Sequence, residues 1–215
     1  MVLGYYKYRF LEFLKSVFFH YKLRRKHLIG KSCTISAGTK LHGRCEIRDN
    51  VTLGFDVSLA DTVVGNGAKL SRIEVQKNSH IESGVICTGH GDGKISIGSE
   101  CYIGINNVLD WSDNITIGDF VHIAGPSTGL WTHSSSLMTL HGIPLKQKDK
   151  EHRPTAPIVI QNNVYIGGNC TIYPGVTIGH HSIVAPNSAV VNDVEPYTMV
   201  GGVPAKKIKE LNLKN

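Results

Sequence analysis

Residues 160–189 read IQNNVY IGGNCT IYPGVT IGHHSI VAPNSA, and an aliphatic residue opens each group of six. A period of six fits neither an amphipathic helix, which repeats about every 3.6 residues, nor a strand with alternating faces. Something must therefore turn the chain every six residues. The same spacing begins near residue 29 and continues with slips through the middle of the chain: Ile29, Ile35, Leu41, Ile47, Leu53, Leu59, Val75, Ile81, Ile97, Ile103, Leu109, Ile117 and Ile123.

The repeat predicts short strands joined by tight turns, wound into a triangular prism with the aliphatic side chains inside. The residue four positions after each aliphatic residue is usually small or β-branched, as at Cys170 and Val176, and would also point inward. Gly or Asn at the corners would allow the positive φ that tight turns need. Stacked coils would pair their strands in parallel and bury one continuous core. We therefore expect an all-β solenoid.

The cysteines follow the same repeat. Cys87 takes an aliphatic position, and the others take the small inward position: Cys33, Cys45, Cys101 and Cys170. This placement predicts small packing residues, and argues against disulfides, a metal site or a cysteine nucleophile.

The charge of the chain is concentrated at its N-terminus. The formal net charge is +6, but residues 1–27 hold seven Lys and Arg against one acid, Glu12, while residues 28–215 hold sixteen of each sign. The electroneutral body argues against a nucleic-acid groove. Neither an export signal nor a membrane-spanning segment is indicated.

Three segments are expected. Apolar and aromatic residues recur at helical spacing within residues 1–28, which predicts an amphipathic helix. This helix would cap the first coil, or else residues 1–27 would make a peripheral contact with anionic lipid. Residues 29–209 would form the solenoid, with an inserted loop at 131–157, and residues 210–215 a C-terminal tail.

The break in the repeat between Ile123 and Ile160 is where chemistry is expected, because a long loop in a compact solenoid is usually functional or disordered. This loop opens with Trp131-Thr132-His133. An imidazole titrates near working pH and suits the role of general base. His141 and His152, in the same loop, are the alternatives.

The repeat form Ile-Gly-x-x-Val-x resembles that of the hexapeptide-repeat acyltransferases. The similarity covers roughly residues 29–209 and is most specific from Val164-Tyr165-Ile166-Gly167-Gly168-Asn169 to Val200-Gly201-Gly202-Val203-Pro204-Ala205-Lys206. The chain is similar to the maltose, galactoside and capsule polysaccharide O-acetyltransferases of this family. The resemblance implies a left-handed parallel β-helix that transfers an acetyl group from acetyl-CoA to a carbohydrate acceptor, at a hydroxyl of a sugar or a surface-polysaccharide precursor. It also implies cytoplasmic homotrimers with active sites between subunits. Such a protein could also sit at the inner face of the membrane.

The resemblance also assigns roles to individual residues. His133 matches the general base, and Asn106 matches an amide that helps to hold the acceptor and the oxyanion. Asp110 and Asp113 are alternatives that could orient the acceptor or the histidine. The residues that match the donor site are Gly168, Pro186 and Asn192 in the groove for the pantetheine arm, and Lys206 and Lys209 near the phosphates. Asn192 and its neighbour Val191 stand where the family usually has Lys and Thr.

Two other functions stay open at this point. The same scaffold supports N-acetylation of a nucleotide-linked amino sugar, although no nucleotide-binding start is visible before residue 29. A non-catalytic scaffold is the other alternative. Metal catalysis is not expected, because no histidines are spaced five apart as in the zinc enzymes of this fold, and His180 and His181 are adjacent.

Overall fold

The computed structural model describes residues 23, 25–144, 146–147 and 150–212. In this part of the chain, short strands alternate with tight turns and wind into a parallel β-helix with three sheets. The predicted all-β solenoid is therefore confirmed. The helix predicted for residues 1–28, with its membrane contact, lies almost entirely outside the described residues.

The strands follow one another along the chain with little other secondary structure. They are β1 (Leu28–Ile29), β2 (Thr34–Ile35), β3 (Lys40–His42), β4 (Glu46–Ile47), β5 (Thr52–Leu53), β6 (Val57–Ala60), β7 (Val63–Val64), β8 (Lys69–Leu70), β9 (Ile73–Val75), β10 (His80–Ile81), β11 (Ile86–Thr88), β12 (Ile95–Ile97), β13 (Tyr102–Ile103), β14 (Val108–Asp110), β15 (Ile115–Ile117), β16 (His122–Ile123), β17 (Gly129–Leu130), β18 (Ile158–Ile160), β19 (Tyr165–Ile166), β20 (Thr171–Ile172), β21 (Thr177–Ile178), β22 (Ile183–Val184), β23 (Ala189–Val190), β24 (Thr198–Gly201) and β25 (Lys206–Glu210).

Each sheet collects every third strand as far as β23, as a three-sided coil requires, and β24 and β25 complete the first sheet. The first sheet has the order β1-β4-β7-β10-β13-β16-β19-β22-β24-β25, the second β2-β5-β8-β11-β14-β17-β20-β23, and the third β3-β6-β9-β12-β15-β18-β21. Neighbouring strands pair in parallel, except β24 with β25, which are antiparallel. The antiparallel strand β25 is a feature that the repeat did not predict.

The aliphatic ladder forms one column inside the prism. Ile81 pairs with Ile103, and Ile103 pairs with Ile123, so that equivalent residues of successive coils stack directly. Each fully buried side chain of this size contributes about 1.5–3 kcal/mol relative to an exposed one. The largest of these buried residues are Ile47, Leu53, Leu59, Leu70, Ile73, Ile81, Ile95, Ile97, Ile103, Leu109, Ile115 and Ile123.

The cysteines pack as the repeat predicts. Cys45, Cys87, Cys101 and Cys170 are buried, Cys33 is partly exposed, and all five are free thiols. Burial raises the pKa of the Cys170 thiol and raises that of Cys87 to about 12. Thiols of this kind remain protonated near neutral pH, so they are poor nucleophiles.

The turns form the three edges of the prism. The first edge joins the first sheet to the second, the second edge joins the second sheet to the third, and the third edge closes the coil. Asn106 lies on the first edge with φ of 56°, and the equivalent turn residues of other coils are also in the left-handed conformation: Asn50, Asn169 and Asn187. Asn tolerates this conformation better than most residues, which accounts for its recurrence.

Gly168, on the first edge, has a packing role of its own. A Cβ atom there would collide with the carbonyl oxygen of Gly125 in the preceding coil, and it would lie 2.9 Å from the carbonyl carbon. Both obstacles are backbone atoms, so relief would require the two coils to separate locally.

We therefore expect Gly168→Ala to destabilise the fold by about 1–3 kcal/mol. Urea unfolding of the full chain measures this, with Gly38→Ala as the matched control, because a Cβ at Gly38 meets nothing within 4 Å. Equal unfolding midpoints for the two variants would show that the preceding coil does not restrict this position.

The inserted loop lies between β17, which ends at Leu130, and β18, which begins at Ile158. It contains the short helix α1 (Ser136–Leu140), whose Met138 is buried. The loop leaves and re-enters side by side, because His133 and Thr155 form an antiparallel bridge. The beginning and the end of the loop are thus fixed to each other at the second edge.

Candidate active site

The sheet register brings the residues that follow β14 next to those that follow β17. Leu109 pairs with Leu130, so Asp110 at the end of β14 lies beside the start of the inserted loop. His133 follows three residues after Leu130 and turns back over Asp110. The candidate site therefore lies on the second edge, where two consecutive coils carry its two central residues.

His133 and Asp110 are in direct contact. Nδ1 of His133 lies 2.6 Å from Oδ2 of Asp110. The carboxylate is fully buried, whereas the imidazole side chain is 20% exposed. A buried acid that binds one imidazole nitrogen and leaves the other without a carboxylate contact suits general-base catalysis by histidine.

Asp110 also receives hydrogen bonds from its neighbours. The N–H and the hydroxyl of Ser112 donate to Oδ1 at 3.1 and 2.7 Å. The N–H of Thr132 donates to Oδ2 at 2.9 Å, and its hydroxyl donates to the main-chain oxygen of Asp110 at 2.7 Å. Burial alone would raise the pKa of Asp110, but the hydrogen bonds from Ser112 and His133 outweigh it, and the pKa is lowered overall. Asp110 is therefore ionised at neutral pH.

This ionisation fixes the tautomer of His133. An ionised carboxylate can only accept a hydrogen bond, so Nδ1 carries a proton, and the neutral ring then has its lone pair at Nε2. Nη2 of Arg153 lies 3.1 Å from Nε2 and donates to it. Nε2 is the basic nitrogen, and in this structure a guanidinium lies against it.

The loop at residues 89–94 forms the next part of the second edge. The N–H of His90 donates to the Ser112 hydroxyl at 3.1 Å. Cβ atoms at Gly89, Gly91 or Gly93 would collide with the backbone of the 111–113 turn, so the loop lies directly on it. Nη1 of Arg72 donates to the Gly93 oxygen at 3.3 Å, and the Arg72 guanidinium carbon is 5.1 Å from the ring centre of Trp111.

The structure separates the alternatives that the sequence left open. Of the three histidines in the loop, His133 contacts Asp110. His141 and His152 instead lie against each other, with ring centres 4.7 Å apart. Of the two acids considered for orienting the histidine, Asp110 makes the contact. Oδ1 of Asp113 accepts instead from the N–H of Asn114 at 2.7 Å, as is usual in a turn.

The other predicted site residues do not come together with His133 in one chain. Asn106, Gly168 and Pro186 lie on the first edge, which is separated from the second edge by the width of the second sheet. Asn192 lies on the second edge beyond β23. Lys206 and Lys209 are exposed on β25.

Ser112 and Arg153 were not identified from the sequence. Arg153 is one of several basic residues at the end of the loop, and the sequence gives no signal that places it near His133.

Acid should remove the stabilisation that Asp110 provides. Its folded-state pKa lies below the ordinary value of 3.8, so its contribution is present above about pH 4 and is lost as the pH falls through the folded value. We expect urea midpoints to fall more steeply between pH 5 and pH 3 for the unmodified chain than for Asp110→Asn. Parallel curves for the two proteins would contradict a lowered pKa at this carboxyl group.

Two kinds of feature are absent from the described residues. Residues 23, 25–144, 146–147 and 150–212 contain no group of three or more His, Cys, Asp or Glu placed to hold a metal ion. No helix in the same residues has the length and apolar character needed to cross a membrane.

Comparisons with known proteins agree with the fold and the repeat. A family model described as bacterial transferase hexapeptide (six repeats) matches residues 157–192. The chain is 36% identical over 118 residues to galactoside O-acetyltransferase of Escherichia coli (strain K12), covering 55% of each protein. It is 32% identical over 151 residues to the putative lipopolysaccharide biosynthesis O-acetyl transferase WbbJ of the same organism, covering 59% of this chain and 76% of the relative.

A solved structure supports the fold alone. A mutant of AntD, an N-acyltransferase from Bacillus cereus in complex with dTDP and coenzyme A, superimposes with a TM-score of 0.55 and is 24% identical. The superposition covers 94% of this chain and 89% of the AntD chain. The chain spans about half the length of the galactoside enzyme and about three quarters of WbbJ.

The three-sided parallel coil and the six-residue repeat together define a hexapeptide-repeat solenoid. The chain belongs to the hexapeptide-repeat acyltransferase family, as its similarity to WbbJ shows.

Proposed function

We propose that the protein is an acetyl-CoA-dependent O-acetyltransferase that acts on a hydroxyl of a sugar or of a surface-polysaccharide precursor. The observation that carries this proposal is the contact between Asp110 and His133, which directs the Nε2 lone pair of His133 away from the carboxylate. The substrate class is supported by the relatives, which are named as galactoside and lipopolysaccharide O-acetyltransferases.

His133 would act as general base in a ternary complex. Nε2 takes the proton of the acceptor hydroxyl while the oxygen attacks the thioester carbonyl. A carbon–oxygen bond forms, the carbon–sulfur bond breaks, and the imidazolium then gives its proton to the departing CoA sulfur. Asp110 remains ionised throughout and stabilises the imidazolium. Direct attack is favoured because the cysteines with raised pKa are poor nucleophiles.

The remaining residues would be supplied by a neighbouring copy in a homotrimer. The first edge of one copy would lie against the second edge of the next. The side-chain N–H of Asn106 in one copy could then donate a hydrogen bond to the developing oxyanion near His133 of the other. Gly168, Pro186 and Asn192 would then line the groove for the pantetheine arm. Lys206 and Lys209 would interact with the phosphates of CoA.

The proposal includes a cytoplasmic location. It also includes a peripheral contact at the inner face of the membrane, made by residues 1–27. Seven basic residues and eight aromatic residues in that segment are the reason for including it. A lipid-linked glycan would then be within reach of the active site.

The test is to incubate the full chain with acetyl-CoA and a panel of sugars, glycans and nucleotide-linked amino sugars, following the release of free thiol. Hydroxylamine cleaves esters and leaves amides intact, so treatment of the product separates O-acetylation from N-acetylation. A hydroxylamine-stable product would favour the amino-sugar alternative. The absence of both turnover and CoA binding by calorimetry would favour a non-catalytic scaffold.

A further inference from the structure

Arg153 occupies the place that an acceptor hydroxyl must take. Because the Nδ1 proton of His133 is committed to Asp110, the only lone pair on the ring is at Nε2. Arg153 Nη2 lies 3.1 Å from that atom, which is hydrogen-bond distance. An acceptor that gives its proton to Nε2 must therefore displace this guanidinium or bind it.

The backbone near Arg153 is held in place while its side chain is long and adjustable. The bridge between His133 and Thr155 fixes the main chain two residues further on. The N–H of Ser134 donates to the Pro154 oxygen at 3.2 Å, and the N–H of Ala156 donates to the Thr132 oxygen at 2.9 Å. The guanidinium is therefore kept close to the imidazole, yet it can move off Nε2 by a change of rotamer.

The charge of Arg153 is not neutralised in the described part of the chain. Some cations lie close to carboxylates, such as Lys94 with Glu74 at 2.7 Å, whereas no salt bridge among the described residues involves Arg153. A guanidinium offers planar paired N–H donors that match a carboxylate or a phosphate. A guanidinium beside the base, without a carboxylate partner among the described residues, therefore fits an anionic group on the incoming substrate.

We infer that the acceptor carries an anionic group, a carboxylate or a phosphate, close to the hydroxyl that is acetylated, and that Arg153 binds this group. The inference rests on the proposed acetyl transfer and narrows its substrate class to acidic sugars. On binding, the guanidinium moves from Nε2 to the anion, which clears the lone pair for the hydroxyl. Arg153 is thus a specificity-determining residue.

Matched acceptors test the inference. Methyl glycosides of glucose, galactose and mannose are compared with their 6-carboxylate and 6-phosphate counterparts, which separates the two anion sources. We expect the intact chain to prefer an acidic member in kcat/KM by about 10- to 100-fold, as for a hydrogen bond to a charged group. In Arg153→Met that preference should disappear. Lys150→Met removes a charge from the same loop without a contact at His133, and it should keep the preference.

Calorimetry without acetyl-CoA gives a second measurement that does not depend on turnover. The preferred acidic glycoside should bind the intact chain at least about 10-fold more tightly than Arg153→Met. Binding that depends on Arg153, without any thiol release, would support the anion site and overturn acetyl transfer. Thiol release with equal kcat/KM for neutral and acidic acceptors would overturn the anion site and leave acetyl transfer standing. An equal loss of kcat/KM for neutral and acidic acceptors in Arg153→Met would also overturn the anion site.

Discussion

His133→Ala should lower kcat for acetyl transfer by about 100- to 10,000-fold, the usual contribution of a positioned general base. Nε2 of His133 is the basic atom on the second edge, because Nδ1 donates to a fully buried carboxylate. The substitution removes that atom but leaves the main-chain bridge to Thr155 in place. The KM for acetyl-CoA should change little.

The measurement is thiol release under saturating acetyl-CoA, with far-UV circular dichroism to confirm that the fold is kept. His141→Ala is the matched control, since that ring lies against His152 in the same loop. A variant without His133 that retains more than about a tenth of the rate would remove the general-base role. In that case a strong loss in His141→Ala would identify the other histidine as the base.

Asp110→Asn should produce a loss of similar size, about 100- to 10,000-fold in kcat. The amide has the same shape as the carboxylate but carries no charge. If its N–H faces His133, the proton of the ring moves to Nε2 and the base is lost. If its oxygen faces His133, the tautomer is kept, but the imidazolium formed during reaction has no counter-charge. Both orientations impair the same step.

Asp113→Asn is the control for this prediction, because Asp113 stands in the same turn and accepts from the N–H of Asn114. Nitrogen NMR of labelled histidine provides a readout of positioning. We expect Nδ1 protonated in the intact chain and a changed tautomer mixture in Asp110→Asn. An unchanged spectrum together with an unchanged rate would mean that Asp110 only supports the fold of the turn.

The aliphatic ladder carries most of the fold in a form that can be read from the sequence. Ile103, Ile123 and Ile166 occupy equivalent positions in three coils and pair in register. Because every coil packs an aliphatic residue at the same position, the pattern found in one coil predicts the others. The antiparallel strand β25 breaks this rule, and the repeat carries no signal for it.

The site was predictable only in part. Thr132 and His133 stand at the break in the repeat, and Asp110 follows directly after Leu109 of the repeat. The positions of His133 and Asp110 can therefore be assigned relative to the six-residue period. The position of Arg153 depends on the path of the inserted loop. Residues 131–157 have no period, and their return beside His133 depends on contacts far apart in sequence. Side-chain placement there requires the structure.

The stacking of nearly equivalent coils has a consequence for the length of the chain. Asp110 and His133 belong to two adjacent coils, and Ile47 and Leu53 pack in coils far from them along the axis. Duplication or deletion of one whole distant coil would change the length of the molecule without altering the local geometry of the pair. We therefore expect versions of this chain with one distant coil added or removed to differ in length and to keep the contact between Asp110 and His133.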